Sequence, residues 1–158
     1  MCSSDLCLEL ANVESVCMTN SPFDLEERPV WEKGFTRHKA FRAALRIDPL
    51  VLSWETAGKQ LFELGYQVDT AFTDRTHREI RRFLGDWTKR MEAQFLMISL
   101  PPDFEYPGKA TSAWLLEKAI LPHCAETGQV FAVMPGVRRG VNPKLQLAGD
   151  GVGLTRLR

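Results

Sequence analysis

The chain has 158 residues, 44% hydrophobic and 25% charged, the proportions of one soluble globular domain. Lysine and arginine total 20, as do aspartate and glutamate, so no net field draws the protein to nucleic acid or to an anionic membrane. No apolar run approaches the ~18 residues that span a bilayer, and the opening "MCSSDLCLELANVESV" lacks the basic and apolar regions of a secretory signal.

In chain order, "VESVCMT" (13–19) is the first of four short apolar runs and predicts a strand. "FRAALRI" predicts a second near 42–47, although its length and alanines also suit a turn of helix. "SWETAGKQLFEL" predicts a helix that stops at Gly65. "TDRTHREIRRFLGDWTKRME" predicts a longer one, opened by a capping box of Thr76 with Glu79 and carrying Ile80, Phe83, Leu84, Trp87 and Met91 on one face. Its basic stretch "RTHREIRR" reads as a solvated outer face. "AQFLMISL" predicts a strand at 94–100. "TSAWLLEKAILPHCAE" predicts a helix with a Thr or Ser cap, bent by Pro122 and ended by Gly128. "QVFAVM" predicts the fourth strand, at 129–135.

Continuous rather than alternating runs suit strands buried on both faces of a parallel sheet. Alternating with helices, they predict an α/β fold: four parallel strands, adjacent in chain order, in right-handed βαβ units with helices on one face. Cys2, Cys7, Cys17 and Cys124 share no CxxC spacing and read as free thiols of a cytoplasmic protein. His38, His77 and His123 are too scattered to pair as metal ligands, so the chain shows no metal site.

Each strand run ends in a proline-bearing loop carrying Asp, Asn or Arg: "NSPFD", "RIDP", "PPDF" and "PGVRRG". In parallel α/β folds these carboxyl ends form one rim, where the chemistry sits. Thr19, Asn20, Asp24, Arg46, Asp48, Asp103, Arg138 and Arg139 are therefore expected on one side, where cations suit an anionic small molecule. Arg46 is the sharpest of them, because an arginine in an apolar run needs a buried partner or a ligand. Asp24 and Asp48 also suit the commoner role of turn former or cap beside proline. "AGDGVG" (148–153) follows a loop and is a weak nucleotide signature.

"NVESVCMTNSPFD", "FRAALRIDPL", "SLPPDFEYP" and "GVRRGVNPKLQLAGDGVG" occur in an order and spacing that resemble the uronate (glucuronate) isomerases of the amidohydrolase superfamily. The similarity runs from about residue 8 to residue 153 and is nearest to the divergent bacterial branch whose last motif reads Gly-Val-Arg-Arg before Val-Asn-Pro. It implies the third to sixth strand units of a (β/α)8 TIM-type barrel, with residues 1–158 a fragment of one barrel domain. It implies an enzyme by family, an isomerase interconverting D-glucuronate and D-fructuronate, or D-galacturonate and D-tagaturonate. The implied substrate-binding residues are Arg46 for the carboxylate, Asp48 to orient it or a sugar hydroxyl, and Arg139 and Asn142 after the last strand. Asp103 joins them from the rim; no catalytic residue is singled out.

The family's better-known branch has a histidine near the position of Met134 and an Asp-His pair near Pro102 and Asp103. Its His-x-His and Asp metal ligands have no counterpart here, so this chain carries no cofactor, and the divalent, zinc-like metal belongs to the full-length enzyme. A closed barrel takes ~250 residues. The chain is therefore expected to be inactive by itself, with sheet edges open to a second copy or another chain. The competing reading is a non-catalytic half-barrel that binds an acidic metabolite or a partner chain.

Overall fold

A computed structural model describes residues 3–69, 71–134, 136–139, 142, 144, 149–152 and 156–157, with side chains from Leu6 to Met134 (Thr70 apart) and at Asn142 and Lys144. In chain order these form α1 (Ser3–Leu10), β1 (Val16–Asn20), α2 (Glu27–Lys33), β2 (Phe41–Arg46), α3 (Asp48–Leu52), α4 (Trp54–Glu63) and α5 (Asp74–Met91). Then come β3 (Leu96–Ser99), β4 (Glu105–Tyr106), α6 (Thr111–Leu115), a π-helical turn (Leu116–Ile120), α7 (Leu121–Thr127) and β5 (Phe131–Met134). The final short strands are β6 (Val137–Arg139), β7 (Gly149–Val152) and β8 (Arg156–Leu157).

The main sheet runs β1-β2-β3-β5, every neighbour parallel. These are the four strands read from the apolar runs, including the ambiguous second one; Pro135, the end of the fourth predicted strand, lies outside the described residues. The order and direction are those of a partial (β/α)8 barrel.

The register fixes two faces, because paired residues of parallel strands point the same way and successive residues alternate. Ala43, Leu45, Ile47, Leu96 and Ile98 share one face and belong to the core with Ile80, Phe83, Leu84, Trp87 and Met91 of α5. The predicted face of α5 is therefore the one that buries. The π turn and its flanking helices add Leu115, Leu116, Ala119 and Ile120. The other face carries Cys17, Thr19, Arg42, Ala44, Arg46, Met97, Ser99, Ala132 and Met134.

Three local readings are corrected. Thr76 and Glu79 form no capping box, because the N-cap of α5 is Thr73 and the loop before the helix claims both side chains. Thr76 Oγ1 accepts from the Asp69 N–H at 3.0 Å, and Glu79 Oε2 accepts from the Gln67 N–H at 2.8 Å. The cap of α6 is Ala110, not Thr or Ser. At Pro122 the helix widens: the Leu121 N–H reaches back five residues to Leu116 O, just before the proline that donates nothing. Finally, the stretch after β5 is not all loop, since β6 pairs antiparallel with β7 inside "AGDGVG" and β4 pairs parallel with β8.

Helix α2 lies in a segment read as loop. Its Pro29 stands in the first turn, where the missing N–H would have no intrahelical partner. Asp24 Oδ1 accepts from Glu26 N–H at 2.8 Å and Glu27 N–H at 2.9 Å, satisfying two exposed donors at the helix start.

Gly128 ends α7 at φ +70, in the left-handed region. A Cβ there would meet nothing within 4 Å, so Gly128→Ala costs only the backbone strain, about 1 kcal/mol. Urea unfolding is expected to show that loss with an unchanged m-value. Among the described residues, no helix is long and apolar enough to cross a membrane.

Candidate functional site

At the carboxyl end of β2, Arg46 follows the buried Ala43–Leu45 and turns to the face opposite α5. Its Nε–H donates to Asp48 Oδ2 at 2.6 Å, and its side chain remains 46% exposed. Among the described residues the terminal guanidinium nitrogens meet no acceptor. Asp48 opens α3 and is only 7% exposed. Its second oxygen, Oδ1, accepts from the Ser99 N–H of β3 at 2.9 Å. One carboxylate thus ties the tips of two neighbouring strands and holds the arginine between them.

The charge state of Asp48 follows from these contacts. Burial alone would push its carboxyl up, but the hydrogen bonds from Arg46 and Ser99, with the guanidinium charge, bring it below the usual carboxylate value. At neutral pH Asp48 is an anion facing a cation, and among the described residues nothing fills the outer fork of Arg46, which suits a second anion.

The remaining predicted residues divide. Thr19 is exposed on the same face as Arg46, from β1. Asn20 falls on the helix side, where its Nδ2 donates to Glu27 Oε2 at 3.2 Å while the Ser21 N–H donates to the same oxygen at 3.0 Å. Asp24 is the turn former described above, and its two backbone hydrogen bonds hold its carboxyl below the ordinary value. Asp103 is exposed in a turn closed by Phe104 N–H to Pro101 O at 3.1 Å. Asn142 is exposed and accepts from the Lys144 N–H at 3.0 Å. The backbones of Arg138 and Arg139 lie in β6; their side chains are outside the described residues.

Gly136 brings two rim loops together. A Cβ at this position would stand 2.4 Å from Pro102 N and Cα and 2.5 Å from Pro101 C, so only glycine fits where the loop after β5 crosses the loop after β3. Ser99 and Glu27 are the residues that the sequence reading passed over. Ser99 meets Asp48 through its backbone, which no side-chain pattern announces.

Two histidines sit in the helical layer, away from the rim. His77 (8% exposed) lies tilted against Trp114 with ring centroids 4.0 Å apart, and His123 (5% exposed) packs where α5 approaches α7 at Gly85. Burial pushes both imidazoles below the ordinary value; Asp74 opposes this at His77, and Arg81 and Lys118 reinforce it. The unfolded chain therefore binds more protons at these sites than the folded one, and their contribution to stability is full above pH about 6.5 and is lost as pH falls below it. The urea midpoint is expected to be lower at pH 5.5 than at 7.5, a window above the range of the carboxylates. Equal midpoints would show that these histidines titrate normally.

No protein-family model matches the chain, and no curated protein matched either. Among solved structures the chain is similar to a uronate isomerase from Bacillus halodurans C-125, at 37% identity and a TM-score of 0.86, over 98% of this chain and 37% of that one. It also shares the fold of glucuronate isomerase from Caulobacter crescentus, at 16% identity and a TM-score of 0.55, over 88% of this chain and 34% of that one. The chain thus spans little more than a third of the length of either structure. With four parallel strands in the order β1-β2-β3-β5, and with 37% identity along nearly all of its own length, the chain corresponds to about a third of a uronate isomerase, the family that its motifs resemble.

Proposed function

We propose that the rim around Arg46 binds the carboxylate of a uronate. On this reading the chain serves aldose–ketose isomerisation of D-glucuronate to D-fructuronate, or of D-galacturonate to D-tagaturonate. The observation that carries it is Arg46 itself, a strand-end cation on the face opposite α5, fixed at Nε and, among the described residues, open at its terminal nitrogens. A sugar acid offers the planar two-oxygen group that such a fork takes up.

Isomerisation moves a proton between two carbons beside a carbonyl and needs a base, an acid and a group that stabilises the enediolate oxygen. Arg46 is assigned to none of these; its part is to anchor the far end of the sugar so that the reacting carbons are held in place. Among the described residues no three His, Cys, Asp or Glu side chains come together to hold a metal ion. The described donors do not fit one, and no step here runs through it.

Calorimetric titration tests the proposal with D-glucuronate and D-galacturonate against the neutral sugar D-glucose. Binding of at least one uronate is expected, with D-glucose bound far more weakly. Equal affinity for charged and neutral sugars would overturn it.

A further inference from the structure

Resting on the reading of Arg46 as the carboxylate contact, we propose that Asp48 is a positioning residue: it sets the guanidinium of Arg46 for end-on capture of the uronate carboxylate and touches no part of the sugar. Both of its oxygens are engaged within the protein, Oδ2 by Arg46 Nε–H at 2.6 Å and Oδ1 by Ser99 N–H at 2.9 Å. At 7% exposure it offers a ligand little surface. A role as partner of a sugar hydroxyl does not suit a carboxylate placed this way.

The same contacts fix how Arg46 can work. A guanidinium carries five N–H donors and takes a carboxylate either side-on, through Nε and one terminal nitrogen, or end-on, through both terminal nitrogens. Asp48 occupies the side-on edge, so the end-on edge is the one left to a ligand. Ser99 anchors Asp48 from the next strand, across 51 residues of chain, so the direction of the fork is set by the sheet and not by the arginine's own flexible stem. The arrangement has a cost. The anion beside Arg46 weakens its attraction for any other anion. Asp48 therefore trades general anion affinity for orientation, and this opposition makes the proposal testable.

Asp48→Asn separates the two effects. The amide oxygen can still accept from Ser99 N–H, but its NH2 then faces the Nε–H of Arg46, donor against donor. The probes are D-glucuronate and acetate, titrated into the 158-residue protein. The Asn variant is expected to bind D-glucuronate about tenfold more weakly, on the scale of one lost positioning hydrogen bond, and acetate at least as tightly as before. A merely structural role would weaken both probes alike. In the unsubstituted protein, the Nε–Hε resonance of Arg46 is expected to stay in place at saturating D-glucuronate, because that proton remains with Asp48; this measurement does not depend on the folding of any variant. The inference is overturned if the Asn variant binds D-glucuronate undiminished, if acetate falls in parallel, or if D-glucuronate displaces the Nε–Hε contact. No response of Arg46 to D-glucuronate in the unsubstituted protein would overturn the carboxylate reading itself, and this inference with it.

Discussion

Replacing Arg46 by methionine is expected to weaken D-glucuronate binding about a hundredfold, and to lower stability as well, because the buried Asp48 loses the cation that offsets its burial. A bidentate charged contact is worth on the order of 2–3 kcal/mol, and each 1.4 kcal/mol is about a factor of ten. The side chain is 46% exposed, so the methionine meets solvent and fills no tight space. The loss should fall on the charged sugar and spare a neutral one, because only the carboxylate contact is removed. Calorimetry with both sugars reads this directly. Equal losses would make Arg46 structural, holding Asp48 in place, and unchanged uronate binding would move the carboxylate contact to Arg139 or away from this chain.

Phe83→Ala is expected to be the most damaging single change in the core. The ring is fully buried in the middle of α5, between Phe23 at 5.3 Å and Tyr66 at 5.4 Å, with Trp87 at 6.4 Å. Removing it takes away a large apolar payload and leaves a cavity whose rigid aromatic walls collapse poorly, a loss of about 3–5 kcal/mol. Single domains have roughly 5–15 kcal/mol of stability in all. Urea denaturation is the check, and a loss below about 1 kcal/mol would mean that α5 does not organise this core.

The parts of the fold legible in the sequence are those decided by local pattern. "AQFLMISL" and "QVFAVM" read as strands because unbroken apolar runs of that length suit a sheet covered on both sides. The face of α5 was legible from the spacing of Ile80, Phe83, Leu84, Trp87 and Met91, all of them buried. Where the reading failed, tertiary contacts had taken over. Thr76 and Glu79 have the spacing of a capping box, but the Asp69 and Gln67 N–H groups of the preceding loop claim them first. Helix α2 was hidden by Pro29, a breaker in most positions and harmless in a first turn. Strand β7 was hidden by glycines that read as loop.

The candidate site divides along the same line. Arg46 and Asp48 stand two residues apart, and their pairing was accessible from sequence because an arginine in an apolar run needs a partner. Ser99 was not accessible, since it contributes a backbone N–H from another strand. Asn20 carries a rim-like side chain, yet its parity in β1 sends it to the helix side, where Glu27 holds it. Asp24 has the commoner role of aspartate beside proline, closing a turn.

The most direct test of the account maps where a uronate lands. Backbone and arginine-side-chain resonances of the 158-residue protein are followed by NMR as D-glucuronate is added, with D-glucose as the control. The account requires shifts that saturate at the terminal nitrogens of Arg46, with its Nε–Hε unmoved, at Ser99 and in the loops that follow β2 and β3, and far smaller ones from D-glucose. It would be contradicted by shifts at the opposite ends of the strands, around Trp31, Arg37 and Arg90, or by the same shifts from both sugars.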